Sequence, residues 1–100
     1  GPAISMSNYE VGPEVISAMR DGLHLTEPEL ALVVNKGVSD RWYLDIATTG
    51  VLCALKSGVR PEHISVLRSC TYAHPELWHS FRRDGRPCGS NVIWIKRSFV

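Results

Sequence analysis

Apolar residues recur along the chain in short runs separated by polar turns, and their spacing changes from one segment to the next. Val11, Val15 and Met19 step by four with Ile16 beside them, which is one apolar stripe of a helix. Gly12-Pro13-Glu14 suits a helix start, because proline fits the first turn and Glu14 suits the positive end of the dipole. Gly22 closes that helix. The apolar run 30–34 follows Thr26-Glu27-Pro28-Glu29, which caps a second helix or leads into a strand. Five residues are too few for periodicity to choose between the two. Residues 36–40 read as a polar turn.

The clearest helix spans 43–57, where Leu44, Ala47, Val51 and Leu55 share a face that Ile46 and Leu52 widen. Asp45 falls in or near its first turn, and Gly58 followed by Pro61 forms a stop. Gly50 inside it costs about 1 kcal/mol relative to alanine, and close packing on a neighbouring sheet accounts for it. Residues 64–67 and 92–95 read as buried strands, the second carrying Trp94, and 75–78 as a short helical turn. Residues 1–8 read as the end of a strand or a loop leaving one. A helix, a short loop and an apolar strand make half of a parallel crossover. The pattern therefore predicts an α/β fold whose strands are covered on both faces.

Composition narrows the classes. The chain has 100 residues, which is one domain or part of one. Eleven basic and ten acidic residues leave a net charge of +1, too balanced for binding nucleic acid or a membrane surface through bulk charge. The longest apolar runs have five residues, whereas a membrane span needs about 20. Three cysteines, Cys53, Cys70 and Cys88, do not make a disulfide framework, so a reducing compartment, the cytoplasm, is expected. The chain opens on Gly1-Pro2 without an initiator methionine, either as a scar or as a piece of something longer.

Residues 70–91 are the densest in chemistry, with two cysteines, two histidines and three arginines. Cys70, His74 and His79 have zinc-type donors, but their spacings of four and five are not those of a ribbon or finger. Ordinary core and loop residues are the simpler reading. Cys70, following an expected strand, could pair with a histidine as a nucleophile, against the alternative of a plain buried thiol. Arg82-Arg83-Asp84-Gly85 could offer bidentate donors to a phosphate or carboxylate, with Asp84 orienting a guanidinium or acting as a base, which makes Arg83 and Asp84 the catalytic candidates. The same run could equally be a surface turn with a salt bridge.

This segment carries a resemblance. Cys70-Thr71, Pro75, Ser80 and Arg82-Arg83-Asp84-Gly85 are similar to the C-terminal signature of the YfiH family, also called multicopper polyphenol oxidase or laccase-domain proteins. Gly1-Pro2-Ala3-Ile4 and Tyr9-Glu10-Val11-Gly12 resemble that family's Gly-Pro-Ala-Ile and Tyr-Glu-Val-Gly motifs, and Trp42-Tyr43-Leu44-Asp45 before a helix fits its order. Three motifs in sequence make the resemblance specific across essentially the whole chain. Departures are Ser7 and Asn8 in place of a cysteine pair, Trp78-His79 in place of Phe-Phe, and Ser90 where many members have arginine.

The resemblance implies the C-terminal portion of one layered α/β domain, a mixed sheet covered by helices, spanning residues 1–100. It implies zinc-dependent phosphorolysis of purine nucleosides such as adenosine and inosine, with adenosine deamination in some members. The partners implied are a purine nucleoside and phosphate, with neither nucleic acid nor membrane. The family's metal ligands lie in Gln-x-His-Gly, Ala-Asp-Cys and His-Ala-Gly-Trp-Arg-Gly motifs, none of which this sequence contains. Zinc is therefore expected in a longer parent, with no ligand from this chain. The copper chemistry of the older family label finds no His-x-His or Met-His-Cys arrangement here.

Within that reading Arg83 is the expected phosphate or substrate contact and Asp84 its orienter. Ser80, Cys70 and Thr71 are expected to line the pocket, with Tyr72 stacking on a purine. A non-catalytic fragment or interaction module is the first alternative. A cysteine-dependent hydrolase built on Cys70 with His74 or His79 is the second.

Overall fold

A computed structural model describes residues 2–97. Gly1, the first residue of the Gly-Pro-Ala-Ile motif, lies outside the described residues.

The described residues form a mixed α/β fold, with four α-helices and a three-stranded antiparallel sheet among them. A 3-10 turn at Met6–Asn8 leads into β1 (Glu10–Val11) and α1 (Pro13–Gly22). Gly12 is the N-cap of α1 and Pro13 its first residue, as the start signal implies. Helix α2 (Glu27–Val33) runs directly into β2 (Val34–Lys36), so the ambiguous apolar run is a helix that ends in a strand. The capping chemistry decides it. The Thr26 hydroxyl accepts from the Glu29 amide at 3.3 Å, and a Glu29 carboxylate oxygen accepts from the Thr26 amide at 3.0 Å. The Thr26 amide, then the Lys56 ammonium, hold the Glu29 carboxyl down at about 2.

The polar turn after Lys36 is a hairpin, closed by hydrogen bonds from the Gly37 amide to the Arg41 carbonyl and from the Arg41 amide to the Val38 carbonyl, that returns the chain as β3 (Trp42–Leu44). β3 is the central strand in the order β1-β3-β2, with Val11 opposite Trp42 and Val34 opposite Leu44. Tyr43 and Leu44, expected in the long helix, are therefore sheet residues. The pairing of Leu44 with Val34 on one side and its hydrogen bond to the Tyr9 carbonyl on the other override the helical stripe to which its spacing assigned it. Helix α3 (Ile46–Lys56) starts one residue after the Asp45 cap, whose carboxylate accepts from the Thr48 amide at 3.1 Å and hydroxyl at 2.6 Å. Gly58, at φ 96°, ends it in a conformation that favours glycine.

The core is the apolar cluster of Val11, Ile16, Leu25, Leu30, Val33 and Leu44, between the sheet and α1 and α2. Val33 is fully buried. Three expectations are corrected. The sheet is antiparallel, joined by a hairpin and not by a parallel crossover. Residues 64–67 and 92–95 are irregular and not buried strands; among the described residues no strand pairs with them, and Ile95 is 98% exposed. Gly50 does not mark a close approach to the sheet, since a Cβ there would meet nothing within 4 Å. No helix among the described residues is long and apolar enough to cross a membrane.

Candidate functional site

The chemistry gathers where residues 69–72 meet the start of the chain. Ala3 and Cys70 form an isolated parallel bridge, and the Thr71 amide donates to the Ala3 carbonyl at 3.1 Å. This contact sets the Cys70 sulfur among donors. Ser5 donates to Sγ through its amide and its hydroxyl, each at 3.2 Å, the Ala73 amide at 3.4 Å, and Asn8 Nδ2 at 3.5 Å. Partial burial pushes the thiol up, but the Ser5 hydroxyl and amide, with the Ala73 and Tyr72 amides, outweigh it and hold it at about 6. Cys70 is thus a thiolate at neutral pH, made so by backbone and hydroxyl dipoles. Among the described residues no histidine side chain bonds to Sγ, and His74 Nδ1 faces Glu76 at 3.1 Å.

Behind Cys70 stands Arg83. It sits in α4 (Phe81–Asp84), a single turn that Ser80 caps by accepting from the Arg83 amide at 3.3 Å. Gly85, at φ 67°, closes the turn. Arg83 Nη1 donates to the Thr71 carbonyl at 2.9 Å and the Tyr72 carbonyl at 3.1 Å, and Nη2 donates to the Trp78 carbonyl at 3.0 Å. Asp84 takes the remaining two donors as a bidentate pair, Nε at 2.9 Å and Nη2 at 2.8 Å. All five guanidinium N–H groups are therefore engaged within the chain. Pairing with Arg83 lowers the Asp84 carboxyl and raises the guanidinium in return. The neighbouring Arg82 lies over the Tyr9 ring, 4.9 Å from its centroid, and donates to the Glu10 carbonyl at 3.2 Å. The Leu44 amide donates to the Tyr9 carbonyl at 3.1 Å, which joins β3 to the same cluster.

Cys70 lines an open groove of about 1280 Å³ between α3 and residues 64–70, with Ser5, Asp45, Arg68 and His74 on its polar part. Of the other candidates, Thr71 and Ser80 are buried, Tyr72 is half-buried, and Arg83 and Asp84 stand behind the 70–72 segment. The sequence reading missed Ser5 and Asn8 as thiol donors, and Asp45 and Arg68 as a groove pair with Nη1 3.7 Å from Oδ2. Burial pushes the Asp45 carboxyl up, but Thr48 and Arg68 together bring it below the ordinary range. Ser5 and Asn8 lie between the two quoted N-terminal motifs, and only the Ala3–Cys70 bridge reveals what they touch. The His79 ring lies beside Gly89, and its amide and carbonyl are clamped by the Asn91 side chain at 2.9 and 2.8 Å.

The resident groups do not fit a metal. Among the described residues no three of histidine, cysteine, aspartate and glutamate converge on one point, and the donors of Cys70 and His74 are already engaged.

A mixed α/β piece whose N-terminal segment and Arg-Asp turn close on the Cys70–Tyr72 segment defines a class, and comparison with known proteins gives the class its name. The pattern of the multi-copper polyphenol oxidoreductase laccase family matches residues 1–98, and the chain belongs to that family. It is 32% identical over 95 residues to the purine nucleoside phosphorylase YlmD of Bacillus subtilis (strain 168), covering 95% of this chain and 33% of that protein. It is 30% identical over 90 residues to a purine nucleoside phosphorylase of Bacteroides thetaiotaomicron, covering 89% of this chain and 32% of that protein. The chain thus spans about a third of the length of the curated relatives it matches. No solved structure matches it with significance.

Proposed function

We propose that this chain is the pocket-supporting portion of a purine nucleoside phosphorylase, with a nucleoside and phosphate as its substrates. The observation that carries this reading is convergence. Two motifs far apart in sequence, around Ala3 and Arg83, meet at the 70–72 segment, and Tyr43 and Asp45 of a third line the groove that Cys70 edges. Relatives named as purine nucleoside phosphorylases support the substrate class.

Phosphorolysis is chiefly positioning and electrostatics: phosphate is held in line with the sugar C1′ and the leaving purine is hydrogen-bonded. In this reading the groove edge at Cys70, with Thr71 and Tyr72 behind it, shapes the pocket, and Ser80 fixes the turn that carries Arg83. Arg83 acts as a positioning residue, because contact with phosphate would break at least one of its five bonds, and Asp84 orients it. Zinc, expected for the family, is assigned to polypeptide outside these residues, and no step is routed through it. The place of action is the cytoplasm.

The test is phosphate-dependent release of hypoxanthine from inosine by the protein made from the whole reading frame that contains this chain. Arg83→Ala should lower kcat tenfold or more while the KM for phosphate holds, with Arg83→Lys equally impaired since one ammonium cannot span three carbonyls and a carboxylate. A raised KM for phosphate at unchanged melting temperature would instead make Arg83 a direct contact.

One observation favours a second reading. A thiol held at about 6 is the state a cysteine nucleophile needs. Stoichiometric iodoacetamide labelling of Cys70 with parallel loss of an esterase activity would establish it.

A further inference from the structure

Trp78 grips the Cys70–Tyr72 segment from two sides. Its indole Nε1 donates to Ser69 Oγ at 2.8 Å, nine residues back along the chain. Its carbonyl accepts from Arg83 Nη2 at 3.0 Å, and the same guanidinium donates through Nη1 to the Thr71 and Tyr72 carbonyls. Its amide donates to the His74 carbonyl at 3.0 Å, and the His74 amide donates to the Cys70 carbonyl at 3.2 Å. Ser69 and Trp78 are both half-buried, so each polar group would lose water without gaining a partner if the other were removed. Residues 69–78 thus form a loop that one side-chain bond closes at its neck and that Arg83 braces from behind.

Cys70 sits in the first turn of that loop, and the donors on its sulfur come from two places. The Ala73 amide donates from within the loop, and Ser5 and Asn8 donate from the start of the chain. The Ser5 and Asn8 bonds persist only while the loop stays in register with Ala3. We propose that Trp78 is a positioning residue, which through Ser69 and Arg83 holds the Cys70–Tyr72 edge of the groove in register with Ser5. Ser69 and Cys70 line the groove, and Trp78 is not among its lining residues, so it acts through them and not on a substrate. An effect of Trp78 on phosphorolysis rests on the function proposed above; its effect on Cys70 does not.

The test uses the protein from the whole reading frame with Trp78→Phe, Ser69→Ala, both together, and Ser69→Thr. Trp78→Phe keeps an aromatic ring without the N–H, Ser69→Ala removes the acceptor, and Ser69→Thr keeps a hydroxyl. Iodoacetamide labelling against pH reads Cys70, and amide exchange reads Thr71 and Ala73. Each of the first two variants should speed that exchange about two- to tenfold, the range one neutral hydrogen bond covers. Each should also raise the Cys70 midpoint by about 0.5 unit, because the donors loosen but none is deleted. Asp45, Arg68 and His74, the charged or titratable groups that share the groove with Cys70, are untouched in every variant. The double variant should add nothing, since each single change already removes the same bond, and Ser69→Thr should behave as wild type. With phosphorolysis present, Trp78→Phe should lower kcat while the KM for phosphate holds. Should Trp78→Phe fail to fold, Ser69→Ala against Ser69→Thr decides. A lower melting temperature with the midpoint and exchange unchanged overturns the proposal, as do shifts that add in the double variant. A folded wild type that releases no base refutes the phosphorolysis reading alone, and the labelling still decides the role of Trp78.

Discussion

Replacing Ser5 with alanine should move the titration of a cysteine 65 residues away in sequence. Cys70 is held at about 6, against an ordinary thiol near 8.5. At pH 7 it is therefore about nine-tenths thiolate, where an ordinary thiol is about 3%. The gain in reactivity is smaller than that ratio, because a more acidic thiolate is a weaker nucleophile. A Brønsted slope of about 0.45 over about 2.5 units costs about 13-fold, which leaves Cys70 about twofold faster than a free thiol at pH 7 and about tenfold faster at pH 6. The midpoint of the rate profile, not the rate at one pH, is thus the signature. A hydrogen bond to a charged group is worth about 1.5–3 kcal/mol, so Ser5→Ala should raise the midpoint by about 1 unit or more, with the Ser5 and Ala73 amides still donating. The assay is iodoacetamide labelling from pH 5 to 9, resolved by peptide mass for Cys53, Cys70 and Cys88, with a urea-unfolded control. A Cys70 midpoint above 8, or one that Ser5→Ala leaves in place, would refute the thiolate cradle.

The same cradle makes stability depend on pH. Because the folded thiol lies below its unfolded value, its contribution is complete above the unfolded pKa and is lost as pH falls through about 6. The melting temperature of the wild type should therefore gain on Cys70→Ala between pH 6 and 9. Leu44→Ala removes an apolar side chain that β3 buries in the core, and urea titration should show a loss of about 2–5 kcal/mol. Thr26→Ala breaks the capping box of α2 and should cost about 1 kcal/mol at pH 7. The difference should shrink as acid protonates Glu29, whose folded value is depressed, so that its contribution is full above the ordinary carboxylate range and fades as pH falls through about 2.

What the sequence made legible follows from the range of each interaction. Local signals worked where the chemistry is local: Gly12-Pro13 starts α1, Gly58 stops α3 and Ser80 caps the turn carrying Arg83. The family motifs held across residues 1–98, since they record which residue types stand in which order. The strand expectations at 64–67 and 92–95 failed in the described structure because a strand needs a partner, and none is present among the described residues. Leu44 was misplaced because its step of three to Ala47 mimics a helix while its backbone pairs with β2 and touches Tyr9. The Ser5 and Asn8 donors to Cys70 were invisible because they depend on one long-range bridge at Ala3. The engagement of all five Arg83 donors was equally hidden, since three of its acceptors are backbone carbonyls that carry no sequence signature.

The central claim is that this chain supports the pocket of a purine nucleoside phosphorylase, and one assay tests it most directly. Protein expressed from the whole reading frame that contains these 100 residues is incubated with inosine, with and without inorganic phosphate, and the free base is measured. Phosphate-dependent release of hypoxanthine with ribose 1-phosphate in equal amount, lost on Arg83→Ala, is the predicted result. A folded protein that releases no base, or releases it equally without phosphate, would contradict the claim.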